Sequence, residues 1–213
     1  MGKDNAGPMA RISRRVFSVA AFAVAMGGYY GDRLAGAAHA GPIASGRGKT
    51  GMTAFDFEFV GIDGAPLRLR DFAGKPLLVV NTASLCGYTP QYTELEALWR
   101  AYKDKGLVLV GVPSDDFGRQ EPGTNSEIKA FCEGFDVSFP LAEKTVVSGA
   151  KAHPFYRWLA AELGEGALPR WNFFKYLIGR DGLPRGTWPS RVTPMSAEMR
   201  KAIDEALAAR PHV

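Results

Sequence analysis

Two uninterrupted apolar runs, Leu77-Leu78-Val79-Val80 and Leu107-Val108-Leu109-Val110-Gly111-Val112, constrain this chain more than any other feature. A strand with one solvated face alternates polar and apolar residues, so runs without alternation predict strands covered on both faces. The segment between them reads as a helix. Thr89 suits its cap and Pro90 its first position, while Leu95, Leu98, Trp99 and Tyr102 line one face before Gly106 stops it. Two buried strands joined through a helix require a parallel, right-handed crossover. The fold class is therefore α/β.

Shorter signals complete the body. Phe55, Phe57 and Phe59 alternate with acidic residues as in a half-buried strand, and Asp63-Gly64 makes a turn. Asn125 or Ser126 can start a short helix, and His153-Pro154 opens another carrying Phe155, Trp158 and Leu159. Phe174, Tyr176 and Ile178 alternate into the turn Asp181-Gly182, a hairpin signal, and Ser196 caps a last helix with Met199, Ile203 and Leu207 inward. A crossover followed by a hairpin and a closing helix predicts a thioredoxin-like domain over 54–213, a central mixed β-sheet flanked by helices. The composition agrees: 213 residues, 46% hydrophobic and 23% charged, exclude a disordered chain, a collagen-like fibre and a multi-span membrane protein.

Residues 1–40 read as an address. Arg14-Arg15 precede an apolar run, Val16 to Met26, too short to cross a bilayer, and Ala38-His39-Ala40 offers a small-residue cleavage site. Ser13-Arg14-Arg15-Val16-Phe17 matches a twin-arginine-type signal peptide, which predicts export, to the periplasm or beyond, of a folded protein beginning at Gly41. Residues 41–53, rich in Gly, Ser and Lys, read as a flexible linker. The formal charge of +4 sits largely in the first forty residues; the rest holds 21 basic and 20 acidic groups, leaving no basic face for nucleic acid.

The chemistry narrows to sulfur. The mature part keeps two cysteines, Cys86 and Cys132, and two histidines, His153 and His212, without metal-ligand spacing, and neither a phosphate loop nor a Gly-x-Ser-x-Gly elbow occurs. Cys86 lies between the first buried strand and the following helix, where unpaired N–H groups favour a thiolate. Making a free thiol mostly anionic at neutral pH takes about 2.7 kcal/mol. A helix terminus supplies at most about 2 kcal/mol, so further donors are needed.

Asn81-Thr82-Ala83-Ser84-Leu85-Cys86-Gly87-Tyr88-Thr89 resembles the N-x-A-S-x-C-G-x-T signature of glutathione peroxidases in its cysteine form. The resemblance continues through Phe117-Gly118-Arg119-Gln120-Glu121-Pro122-Gly123 and Gly149-Ala150-Lys151-Ala152-His153-Pro154, and ends with Trp171-Asn172-Phe173-Phe174-Lys175-Tyr176-Leu177. It implies Cys86 as the peroxidatic nucleophile, surrounded by Gln120, Trp171 and Asn172 as uncharged donors, with no metal or organic cofactor. Peroxide is then the substrate, and a thioredoxin-like protein or glutathione the reductant.

By the same resemblance Cys132, ahead of Phe139-Pro140, is a resolving cysteine that forms a disulfide with oxidised Cys86; a buried free thiol or a permanent disulfide are its alternatives. The short stretch from Trp158 to Trp171 resembles the monomeric, dithiol-dependent branch. One departure stands out: Asp115-Asp116 replaces the family's usual Asn-Gln, and a carboxylate facing Cys86 would oppose its ionisation. Three other readings compete. A thiol-disulfide or metal-delivery protein of the same fold typically carries a second cysteine where Thr89 stands, a Cys86–His153 hydrolase would need an oxyanion loop that is not apparent, and a non-catalytic binding domain of the same fold would consume no peroxide.

Overall fold

Residues 54–208 fold as alternating strands and helices in which each buried run of the sequence finds cover on both sides. The computed structural model describes residues 48–209; the expected signal peptide and most of the linker, as well as His212, lie outside the described residues. A short hairpin comes first, β1 (Glu58–Val60) and β2 (Pro66–Arg68), closed by the predicted turn, where Ala65 N–H donates to Asp63 Oδ1. The alternating phenylalanines are divided: Phe55 sits in a 3-10 turn (Ala54–Asp56) and only Phe59 within the strand.

The central sheet is four-stranded and mixed. β3 (Leu77–Thr82) and β4 (Val108–Pro113) run parallel, β5 (Lys175–Ile178) is antiparallel to β3, and β6 (Pro184–Trp188) is antiparallel to β5, in the order β4-β3-β5-β6. Every residue of β3 and β4 is buried, as unbroken apolar runs require. The crossover helix α1 (Gln91–Tyr102) continues as a 3-10 turn (Lys103–Lys105) and ends at Gly106, whose φ of 104° suits glycine alone. α2 (Asn125–Glu133) is capped by Thr124, α3 (Pro154–Leu163) by His153, and α4 (Ala197–Ala208) by Ser196.

The sheet divides the core in two. On one face Val79, Val110, Tyr176 and Ile178 pack with Phe155, Trp158 and Leu159 of α3. On the other, Leu78, Val80, Leu109 and Leu177 pack with Tyr92, Leu95 and Leu98 of α1, Ile128 and Cys132 of α2, and Met199 and Ile203 of α4. β5 is therefore buried along its whole length, and Lys175 is fully buried with it. The end of the expected linker is not loose: Glu162 of α3 accepts the Lys49 and Thr50 N–H groups (both 2.9 Å) and the Thr50 hydroxyl (2.6 Å). Linker composition gives no hint of a partner more than a hundred residues away.

Candidate active site

Cys86 follows β3 in a run of tight turns and is buried, its side chain joining the α1 side of the core. The sequence predicted that Thr89 caps the helix; instead Pro90 occupies the cap position and α1 begins at Gln91. The Thr89 hydroxyl serves the cysteine turn, accepting Cys86 N–H at 3.0 Å and donating to Ala83 O at 2.9 Å. Cys86 thus lies ahead of the helix rather than on its first turn. Its sulfur takes a backbone donor from the turn itself, Tyr88 N–H at 3.4 Å.

The other candidates arrive from two distant segments. Asn172 is fully buried and its Nδ2 donates to Gln120 Oε1 (2.9 Å) and Phe117 O (3.4 Å). Leu85 N–H donates to Gln120 O at 2.9 Å, which ties the Gln120 segment to the residue beside Cys86. Trp171 is 40% exposed, its ring centroid 6.2 Å from that of Phe117. Asn81, at the end of β3, organises this turn: Nδ2 donates to Trp171 O (3.0 Å), Oδ1 accepts Phe174 N–H (3.1 Å), and its backbone O accepts Phe173 N–H (2.6 Å). The turn needs that grip, because Phe173 adopts a φ of 61°, which a bulky residue rarely occupies. Gln120, Trp171 and Asn172 in this way belong to one hydrogen-bonded region, which reaches Leu85, the chain neighbour of Cys86.

Asp115 and Asp116 are both occupied by backbone. Asp115 Oδ1 accepts Glu121 N–H at 2.8 Å; Asp116 Oδ2 accepts Val147 N–H (2.7 Å), Ser148 N–H (2.8 Å) and the Ser148 hydroxyl (3.1 Å). These carboxylates shape the loops that carry Gln120. Glu121 itself is buried, and burial raises its carboxyl above the ordinary range against the hydrogen bonds of Ser84.

Cys132 sits near the end of α2, 1% exposed, in the same apolar cluster as Cys86; both thiols are free. Burial pushes its thiol up to about 11, with Tyr92 opposing and Glu121 and Glu133 adding to the rise. His153 is structural: Nδ1 accepts Phe155 N–H, Nε2 meets Glu58 O at 3.0 Å, the ring stacks on Phe59, and burial lowers its pKa. A hydrolytic Cys86–His153 pair has no support in this arrangement. Among the described residues no group of three or more His, Cys, Asp or Glu side chains is placed to hold a metal ion, and no helix is long and apolar enough to cross a membrane.

The glutathione peroxidase family model matches residues 54–160, half of the chain. The chain belongs to the glutathione peroxidase family. Within it, the hydroperoxy fatty acid reductase gpx1 of Synechocystis is 47% identical over 139 residues, 61% of this chain and 82% of the relative. The glutathione peroxidase-like peroxiredoxin HYR1 of Saccharomyces cerevisiae is 40% identical over 149 residues, 68% and 90% respectively. Among solved structures, Trgpx in its apo form superimposes with a TM-score of 0.62 at 36% identity, covering 76% of this chain and 99% of that one, and the fold is the thioredoxin-like one expected.

Sequence reading missed Asn81 as the organiser of the Trp171–Phe174 turn, and it missed Thr89, taken for a helix cap. The first stood inside the quoted motif; its role depends on the pairing of β3 with β5, which no local pattern encodes. Lys175, Gln91 and Ser190 were also passed over.

Proposed function

We propose that this glutathione peroxidase family member is a thiol peroxidase that reduces hydrogen peroxide and organic hydroperoxides through Cys86. The observation that carries the reading is the Asn172–Gln120 amide pair, joined through the Gln120 backbone to the residue preceding Cys86. Asn172 Nδ2 is spent on Gln120 Oε1 and Phe117 O, which orients the Gln120 amide, and the Gln120 N–H donors favour a thiolate and a developing oxyanion without themselves titrating. The Cys86 thiolate attacks one peroxide oxygen and the O–O bond breaks. The sulfur keeps that oxygen as sulfenic acid, and the other departs with one proton as water or alcohol.

Cys132 then resolves it. Its sulfur displaces the hydroxyl of Cys86 sulfenic acid, an internal disulfide forms, and the thiol proton leaves with the hydroxyl as water. The buried, protonated state of Cys132 calls for the end of α2 to open in this step, and Gly134 at the helix C-terminus gives little resistance. A thioredoxin-like dithiol protein returns the disulfide to two thiols; the peroxiredoxin description of the yeast relative supports this reductant over glutathione. Leu85, Tyr88 and Trp171, exposed hydrophobics of the segments that flank Cys86, favour organic hydroperoxides alongside hydrogen peroxide. The enzyme acts as a monomer after export by its twin-arginine-type signal, with Gly41 as the mature N-terminus.

The test is peroxide consumption coupled either to thioredoxin, its reductase and NADPH, or to glutathione. Turnover should require Cys86 and run on thioredoxin. Cys132→Ser should abolish steady-state thioredoxin turnover yet still consume about one equivalent of peroxide. Full thioredoxin-dependent turnover in Cys132→Ser would remove the resolving role, and peroxide turnover in Cys86→Ser would remove the whole reading. N-terminal sequencing of the exported protein tests cleavage at Ala40.

A further inference from the structure

Behind the site lies a closed set of buried hydrogen bonds that the chemistry above does not use. Lys175 Nζ donates to Gln91 Oε1 (2.8 Å) and to Phe173 O (2.7 Å). Gln91 Nε2 donates to Ser190 O (2.6 Å), and Ser190 Oγ donates to Asn172 O (2.5 Å). Since Asn172 and Phe173 are consecutive, the path returns to its start. It joins the first residue of α1, the turn before β5 and the segment after β6. Lys175 and Asn172 are fully buried, and Gln91 and Ser190 are more than nine-tenths buried.

We propose that Lys175 is a positioning residue of the peroxide site, its amine clamping the Trp171–Phe174 turn to the start of α1 and so fixing the amide of Asn172 beside Gln120. The proposal rests on the reading of Asn172 as a site residue. A lysine in the interior of a covered strand is expensive, because the cation loses its hydration. Its neighbours on this face of the sheet, Phe173, Leu177 and Trp188, belong to an apolar cluster where a methionine would fill the same space at no such cost. What lysine adds is two N–H donors on a long stem, and both of its acceptors are neutral oxygens. The carboxylates of the helices packed here are committed elsewhere: Glu94 of α1 accepts Met195 N–H, and Glu198 of α4 accepts the Trp188 indole N–H. The amine therefore acts as a bracket rather than as half of an ion pair. The bracket has work to do, since Phe173 holds a left-handed backbone that relaxes unless its carbonyl and N–H are both held.

A double-mutant cycle on the rate of hydrogen peroxide consumption by the reduced full-length enzyme tests this. Lys175→Met should lower the second-order rate about 10-fold in the wild-type background. In an Asn172→Ala background it should change the rate by less than about 2-fold, because the group it positions is gone. Equal loss in both backgrounds would mean that Lys175 acts independently of Asn172, and no loss in the first would mean that it does not act at all; either overturns the proposal. Should Lys175→Met fail to fold, Ser190→Ala removes one bond of the same path without opening the core and must show the same non-additivity. An unimpaired Asn172→Ala enzyme would overturn the reading of Asn172 and the proposal with it, whereas a proposal that fails while Asn172→Ala is slow leaves that reading intact.

Discussion

Lys175 also makes a prediction about stability that is independent of activity. Burial lowers its pKa to about 7, with Glu94 opposing the fall, whereas an unfolded chain holds lysine near 10.4. Below about pH 7 both states carry the proton, and the native state bears the full cost of a buried cation. Between about pH 7 and 10 the unfolded chain binds more protons than the native one, so stability rises with pH, by up to about 1.4 kcal/mol per unit from this group. Integrated from pH 7 to pH 9, with the native amine half-titrated at the start, the gain is about 2 kcal/mol. Lys175→Met removes it. The assay is urea unfolding of wild type and variant at those two pH values. Tyr92, Tyr156 and Tyr176, whose burial raises their pKa values, weaken both proteins alike at alkaline pH and cancel in the comparison. The wild type should gain about 2 kcal/mol more than the variant on going to the higher pH. A difference of differences near zero would show that the amine keeps its ordinary pKa, and the description of it as desolvated would be wrong.

Three further outcomes follow from single contacts. Thr89→Val keeps the shape but strips Cys86 N–H and Ala83 O of their shared hydroxyl; it should cost about 1–3 kcal/mol in thermal or urea unfolding and slow the reaction with peroxide. Glu162→Ala frees the strap at Lys49 and Thr50 and should speed proteolysis near residue 50. Burial raises the Glu162 pKa, but the Thr50 and Lys49 donors outweigh it and the net shift is downward. Its stabilisation is therefore present above the unfolded value and fades as pH falls through the native one, a fall that the variant should lack in acid unfolding curves. Cys132, held up at about 11 by burial, should be alkylated by iodoacetamide a few hundred-fold more slowly in the native Cys86→Ser protein than in urea at the same pH, roughly the ratio of thiolate fractions. Equal rates would mean that the end of α2 is already open.

Much of the architecture could be read before any coordinates because its signals are local. Leu77–Val80 and Leu107–Val112 announce covered strands, Gly106 and Asp63-Gly64 announce stops and turns, and Ser196 announces a helix. The readings that shifted are those in which tertiary context outranks local pattern. Phe174, Tyr176 and Ile178 alternate, which suggests one buried face, yet Lys175 and Leu177 between them are buried as well, because helices cover both sides of β5. Thr89 has the chemistry of a cap and the position for it, but the unpaired N–H of Cys86 lies within reach and takes its hydroxyl instead.

The same distinction governs the site. Cys86, Gln120, Trp171 and Asn172 stand out in the sequence only through three blocks that resemble the family's, Trp171 and Asn172 sharing one of them, and not through any local pattern of their own. Asp115-Asp116 raised a doubt that composition could not resolve, because a carboxylate's effect on a thiolate depends on where it points and on what already occupies it. Backbone N–H groups of Glu121, Val147 and Ser148 occupy both, so charges that read as a threat to Cys86 serve as loop brackets. Lys175 is the mirror case. Read along the chain it is an ordinary lysine in a strand, and only the register that sets it opposite Val80 and Trp188 makes it a desolvated donor at the back of the Asn172 turn. Both cases turn on the same physics: in a folded interior a charged group acts through the hydrogen bonds it is compelled to make, and those partners are fixed by pairing and topology rather than by sequence neighbours.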